Sequence, residues 1–225
     1  ADLMKLLNPG YESETVGGSL YWNNQSGTCY NNKNNATTSC NFTSTGIKDK
    51  LKNMLGNAVW NTGSQGTNSW TSASGGLTKH FYAYERSSNT GKICSSGTGC
   101  NDTVERTTTW TGKVGLMYPS DYGYATSGGS TADRATCLNT VLYDWYNYSD
   151  CYNNDWLFNN SWQWTLSPYA QSSDARRGFD VRYNGHVSTD DAFYGFGARP
   201  VVYLASNVKI SGGEGTSKSP YQLEP

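Results

Sequence analysis

Charge is scarce in this protein: only 16% of its 225 residues are Asp, Glu, Lys or Arg, and the formal net charge is -1. No block of Lys and Arg occurs, which excludes the electrostatic footprint of a nucleic-acid binder and a polybasic membrane contact. Histidine is down to two residues, His80 and His186, far apart in the chain. No HExxH, GxSxG or glycine-rich phosphate loop is present, so zinc-protease, α/β-hydrolase and P-loop chemistries lose their signatures. There is no CxxC pair to suggest a zinc site or a redox motif, and no apolar run long enough to span a bilayer.

What is abundant is glycine (25 residues), tyrosine (17) and tryptophan (8), in a background of Asn, Ser and Thr. That mixture suits many short strands joined by Gly/Asn turns, and the length suits one elaborate β-rich domain over 1–225. The six cysteines fall in three close pairs, Cys29 with Cys40, Cys94 with Cys100 and Cys137 with Cys151. An even number of thiols without metal-ligand spacing points to disulfides and an oxidising compartment, hence to a secreted or cell-surface protein. Nearest-neighbour pairing is the simplest connectivity. The start ADLMKLLNPG reads as a helical tail, and residues 1–18 are expected to be the stub of a helix or anchor whose export or anchoring segment lies upstream.

Helical spacing of Ile47, Leu51, Met54, Leu55 and Ala58 predicts a helix over 47–60. Aromatic and β-branched clusters predict strands over 79–86, 113–118, 200–204, 208–210 and 221–223. The apolar run of 200–204 suggests a central strand that begins at Pro200. The Gly/Ser/Asn stretches 61–76 and 121–136 read as loops.

Asp144, Asp150 and Asp155 lie among Trp145, Tyr146, Tyr148 and Trp156. A glycan hydrolase needs two carboxylates and a stacking surface, so this group is one candidate for catalysis; turn carboxylates are the plainer reading. Asn153, Asn154 and Asp155 supply hard oxygens that suit calcium, in a spacing that matches no EF-hand. No other cofactor is expected.

The densest crowding of Arg, Asp and aromatics lies in 174–196, DARRGFDVRYNGHVSTDDAFYGF, which holds three of the chain's seven arginines. Asn184–Gly185 reads as the tip of a hairpin flanked by strand positions Val181 and Val187, with His186 exposed beside the tip. His80, inside an aromatic strand, reads as structural. Arg and Tyr dominate binding hot spots. The expected ligand contacts are therefore Asp174, Arg176, Arg177, Phe179, Asp180, Arg182, Tyr183, His186, Ser188, Asp190, Phe193, Tyr194 and Phe196, flanked by Trp162 and Tyr169. Trp164, Val201 and Val202 are assigned to core packing.

An ordered set of motifs surrounds that stretch: GLMYPSDYGYA at 115–125, WQWTLSPYA at 162–170, GFGARPVVYL at 195–204 and KISGGEGTSKSPYQL at 209–223. Over 115–225 it resembles exported bacterial proteins with a C-type-lectin-like domain, related in fold to formylglycine-generating enzymes and phage tropism determinants. The resemblance implies an α+β fold: a small twisted antiparallel sheet, one or two helices and long disulfide-pinned loops, with the ligand surface in the final third. Some of these relatives are variable proteins of diversity-generating retroelements, in which mutagenised codons never encode Lys, Glu, Gln, Met or Trp. Residues 174–196 contain none of those five. The enzymatic relatives use reactive cysteines near the C-terminal end, and no cysteine follows Cys151 here. The expectation is thus a non-enzymatic, adhesin-like binder of a protein or glycan on another cell or phage. The alternatives are the glycan hydrolase above and a structural subunit of a pilus-like fibre, anchored to membrane or pilus through the N-terminal segment.

Overall fold

The computed structural model describes residues 26–27, 40–41, 49–63, 68–87, 109–169, 177–192, 194–216 and 218–225. Cys29, Cys94 and Cys100, the tail 1–18 and the candidate contacts Asp174, Arg176 and Phe193 lie outside them. The protein mixes helices with mainly antiparallel sheet, the α+β class that the motifs implied. The chain divides into two compact units. One takes 1–59, 111–115 and 201–225, the other 60–110 and 116–200.

In the first unit, strands β1 (Ser26–Gly27) and β2 (Cys40–Asn41) pair antiparallel, and so do β11 (Lys209–Gly212) and β12 (Gln222–Glu224). The helix expected over 47–60 shrinks to α1 (Asp49–Lys52). Beyond it, Leu55 bridges Leu204, Gly56 N donates to Tyr203 O (3.0 Å) and Ala205 N donates to Met54 O (2.8 Å). These partners claim the backbone groups that a continued helix would use internally. Ala58–Asn61 is strand β3, so tertiary pairing overrides helical spacing.

Strand β3 pairs with β4 (Thr109–Gly112), and β5 (Val114–Leu116) pairs with β10 (Pro200–Val202). Pro200 opens its strand as expected. The strand is not central, however: among the described residues β10 pairs with β5 alone, and Val201 and Val202 are only half-buried.

The second unit is built on a four-stranded sheet ordered β8-β7-β6-β9, from β6 (Gln163–Pro168), β7 (Arg177–Val181), β8 (Val187–Asp191) and β9 (Gly197–Ala198). Residues 79–86, expected as a strand, lie in helix α2 (Thr78–Glu85). Thr78, Phe81 and Glu85 are its buried residues, while Lys79, Tyr82 and Ala83 are exposed. The burial period is thus near 3.6 and not 2. Residues 121–136 are not a loop either. They include α3 (Pro119–Ala125), with proline in its first turn and Asp121 accepting from Tyr118 N (2.9 Å), and the start of α4 (Arg134–Leu138), capped by Asp133 accepting from Thr136 N (2.7 Å). Proline at a helix start and an aspartate cap satisfy donors that a helix leaves open. Glu85 joins α2 to α3: Ser120 N donates to its Oε1 (3.0 Å) and Ser120 Oγ donates to its Oε2. Burial pushes the Glu85 carboxyl up to about 7.

Cys137 of α4 and Cys151 of α5 (Ser149–Asn153) form a disulfide with Cα atoms 5.4 Å apart, as nearest-neighbour pairing predicts. In the same unit, Trp145, Tyr122, Leu142, Phe81, Phe179, Val181 and Val187 are fully buried.

The β7–β8 hairpin has the register expected from sequence, with Val181 opposite Val187 and Gly185 at φ 85° in the turn. The tip is anchored and not displayed. Tyr122 Oη donates to Gly185 O (2.7 Å), and a Cβ on Gly185 would stand 2.2 Å from the Tyr152 ring. Gly185→Ala therefore combines a left-handed backbone with a clash, and is expected to cost about 2–4 kcal/mol in chemical denaturation. A loss below the scatter of surface mutations would refute the anchoring.

Candidate functional site

The alternation of the hairpin separates two sets of side chains. Pairing of Phe179 with Thr189 and of Val181 with Val187 puts these residues on one face, while Asp180, Arg182, Ser188 and Asp190 take the other. On β6, Gln163 stands opposite Val181 and Trp164 opposite Asp180, so Trp164 and the preceding Trp162 share the face of Asp180. The parallel pairing of Gln163 with Gly197 draws Phe196 to the same side. Gly197 N donates to Trp162 O (2.9 Å), which fixes that approach.

The result is a continuous aromatic row. Trp162 lies 4.8 Å from Phe196 and 5.9 Å from Tyr183 between ring centroids. Phe196 stacks on Trp164 at 4.7 Å and lies parallel to Tyr194 at 5.7 Å. Trp164 Nε1 donates to Tyr194 O (3.2 Å), holding the segment after β8 against the sheet. Tyr183 and Tyr194 are 54% and 46% exposed, whereas Trp162, Trp164 and Phe196 are half-buried. Rings that lean on one another lose little freedom when a ligand arrives, which favours them as contacts.

A charged cluster adjoins the row. The Arg182 guanidinium lies over the Trp162 ring, 4.6 Å from its centroid. Its Nε faces Asp180 Oδ1 at 3.4 Å and its Nη2 donates to Asp190 Oδ2 (3.2 Å) and Thr189 O (3.3 Å). The Asp180 side chain is wholly buried, and among the described residues its Oδ2 has no hydrogen-bond partner. Burial pushes its carboxyl up to about 7; Arg182 pulls it back and Asp190 pushes it further. Arg177 and Asp191 form a second, more exposed pair at 3.5 Å.

Several expected contacts are placed elsewhere. Phe179 is core, edge-on to Trp70, Phe81 and Tyr169 at 5.5, 5.1 and 5.6 Å. Tyr169 belongs to the same buried group, and neither is positioned to touch a ligand. Asp180 and Ser188 lie on the site face but are buried. His186 is not exposed at the tip. It stands edge-on to Tyr143 and Tyr146, both at 5.4 Å, with Nδ1 2.7 Å from Asn184 Oδ1, and burial with the Arg182 charge lowers it to about 4. Arg182, Tyr183, Asp190, Tyr194, Phe196 and Trp162 do come together. Trp164, assigned to the core by its sequence, belongs with them; its place opposite Asp180 in the register is the signal that identifies it.

Two of the three aspartates of the hydrolytic alternative, Asp150 and Asp155, bond nearby backbone groups. Asp150 accepts from Thr131 Oγ1 (2.6 Å) and Ala132 N (3.0 Å), and hydrogen bonds from Thr131 hold its carboxyl below the usual range. Asp155 Oδ1 accepts from Leu157 N (2.8 Å), and burial lifts this carboxyl to about 7. Trp145 is fully buried against Tyr122 at 5.3 Å, so it offers no stacking face, and Trp156 stands 73% exposed. Asn154, one of the oxygen-bearing calcium candidates, donates through Nδ2 to Asp150 O (2.9 Å). Among the described residues no three His, Cys, Asp or Glu side chains gather as metal ligands, and no helix is long and apolar enough to cross a membrane. No family model matches the chain, and no curated protein or solved structure matches it.

Proposed function

We propose that this chain is a non-enzymatic ligand-binding module of adhesin type that works at a secreted or cell-surface location in a C-type-lectin-like fold. The Trp162–Phe196–Tyr194 row with Arg182 beside it is its contact surface. The observation that carries the reading is that row: exposed Tyr183 and Tyr194 extend a set of mutually supported rings on one sheet face, next to a guanidinium held by two carboxyls. Aromatic anchors with a fixed Arg are the composition of binding hot spots. The scaffold beneath does not depend on them: Phe179, Val181 and Val187 pack on the opposite side of the same hairpin.

The division is testable. Tyr183→Ala combined with Tyr194→Ala is expected to weaken capture of a cell-surface partner at least tenfold, an affinity loss of about 1.4 kcal/mol or more. Thermal melting should stay nearly unchanged, because both side chains are about half-exposed. Unaltered capture would sink the assignment of this face. Genetic variation of residues 174–196 remains part of the proposal. It requires a reverse-transcriptase gene nearby and a near-copy of this coding segment that differs at adenines; a genome lacking both refutes it.

A further inference from the structure

The hairpin that carries the contact surface has a charge imbalance. Between Arg177 and Asp191 the described residues include two arginines, Arg177 and Arg182, against three aspartates, Asp180, Asp190 and Asp191, a net charge of 2 − 3 = −1 once Asp180, whose carboxyl is pushed up to about 7, is ionised. His186 adds no positive charge at neutral pH, being lowered to about 4. Among the described residues Arg182 pairs with both Asp180 and Asp190, while Arg177 pairs with Asp191 and reaches Asp180 only through its field, so the excess resides in the Asp180–Asp190 pair. An acceptor that is buried and unpaired costs the protein its full desolvation penalty, and Asp180 Oδ2 is such an atom. The neighbouring ring faces attract cations as well, and Arg182 over Trp162 already makes that contact within the protein.

We infer that this face takes a basic segment of a partner protein, one of whose Lys or Arg side chains lies on the aromatic row and neutralises the excess carboxyl of the Asp180–Asp190 pair. The inference rests on the functional reading above and adds the chemistry of the ligand. Polyanions are repelled by the same carboxyls. A neutral glycan would stack on the rings yet leave the excess charge uncompensated. Asp190, with 20% of its side chain exposed, is the carboxyl that an incoming cation meets. Asp180 sits behind it as a positioning residue, aligning Arg182.

The groups facing Asp180 are Arg177 on its own strand, Arg182 just beyond that strand and Asp190 on β8; β6, Gln163 to Pro168, contributes no titratable side chain. A cation arriving there favours ionised Asp180, so binding is expected to strengthen between pH 6 and pH 8 and to release protons.

The test is a nuclear magnetic resonance titration that follows the indole N–H signals of Trp162 and Trp164 in the full chain. The probes are a short Gly/Ser peptide containing arginines, its citrulline twin, and a neutral oligosaccharide. The arginine peptide should shift both signals saturably and bind at least about tenfold tighter than the citrulline twin; Asp190→Asn should erase most of that difference. Equal binding of the two peptides, or full binding by Asp190→Asn, overturns the cation assignment. If the neutral probes then bind and Tyr194→Ala abolishes their binding, the contact surface itself stands. If no probe moves either indole, and substitution of Tyr183 and Tyr194 leaves partner capture intact, both readings fall. Should Asp180→Asn fail to fold, Asp190→Asn decides the matter alone.

Discussion

Phe179→Ala is expected to remove on the order of 3–5 kcal/mol of stability, the usual cost of emptying a fully buried phenylalanine site. For a chain of this size that is a fall in melting temperature of about ten degrees or more. Four aromatic rings meet at the position: Phe179 stands edge-on to Trp70, Phe81 and Tyr169. Their mutual packing limits how far the neighbours can collapse into the void, which puts the cost toward the upper end. Tyr194→Ala, only fifteen residues further on, should change stability by about 0.5 kcal/mol or less. Near-ultraviolet circular dichroism melts of the two variants provide the comparison. If Phe179→Ala melted like the parent protein while losing ligand capture, Phe179 would be a displayed contact after all, and the face assignment from strand register would be wrong.

The second large effect is a loss of stability as pH rises. Glu85, Asp155 and Asp180 are each pushed to about 7 by burial, against ordinary values near 4. For a carboxyl raised on folding, the folded state holds its proton through a range where the unfolded chain has already released it. The unfolded state then binds fewer protons, so stability is fully present below about pH 4 and declines toward pH 7. Each such group is worth on the order of 3 kcal/mol over that window if it titrates independently. The folded protein is therefore expected to withstand urea better at pH 5 than at pH 8. Glu85→Gln tests one of the three: the amide keeps a carbonyl acceptor for the α3 N-terminus, carries no charge at any pH, and should flatten the dependence. A denaturation midpoint that rises from pH 5 to pH 8 would show that these carboxyls are solvated or paired in solution.

Which parts of this architecture were legible in the sequence follows from the range of the forces involved. The β7–β8 hairpin was legible because its determinants are local. Asn184–Gly185 accommodates the positive φ of the turn, and alternation sets Val181 opposite Val187. The Cys137–Cys151 bridge was legible for a related reason, since a short loop brings its two thiols together. Helix α2 was misread because KHFYAYER is aromatic enough for a strand, and only the neighbours of Phe81 and Glu85 reveal the helical period. The helix over 47–60 failed in the opposite direction, as Met54, Leu55 and Gly56 bond to residues about 150 positions away.

The site divides along the same line. By itself the sequence determined that Arg, Asp and aromatic residues concentrate in one hairpin and its flanks. Only the tertiary structure decided which of those side chains face outward. Alternation allots successive residues to opposite faces, but which face is core depends on what packs there: Trp70, Phe81 and Tyr169 against Phe179, and Tyr122 and Tyr152 against the tip. Phe179 and Tyr194 are the same kind of residue in composition. They differ because burial is a property of the assembled chain, and the hydrophobic gain that removes one ring from water requires partners drawn from Tyr169 after β6, from α2 and from the segment around Trp70.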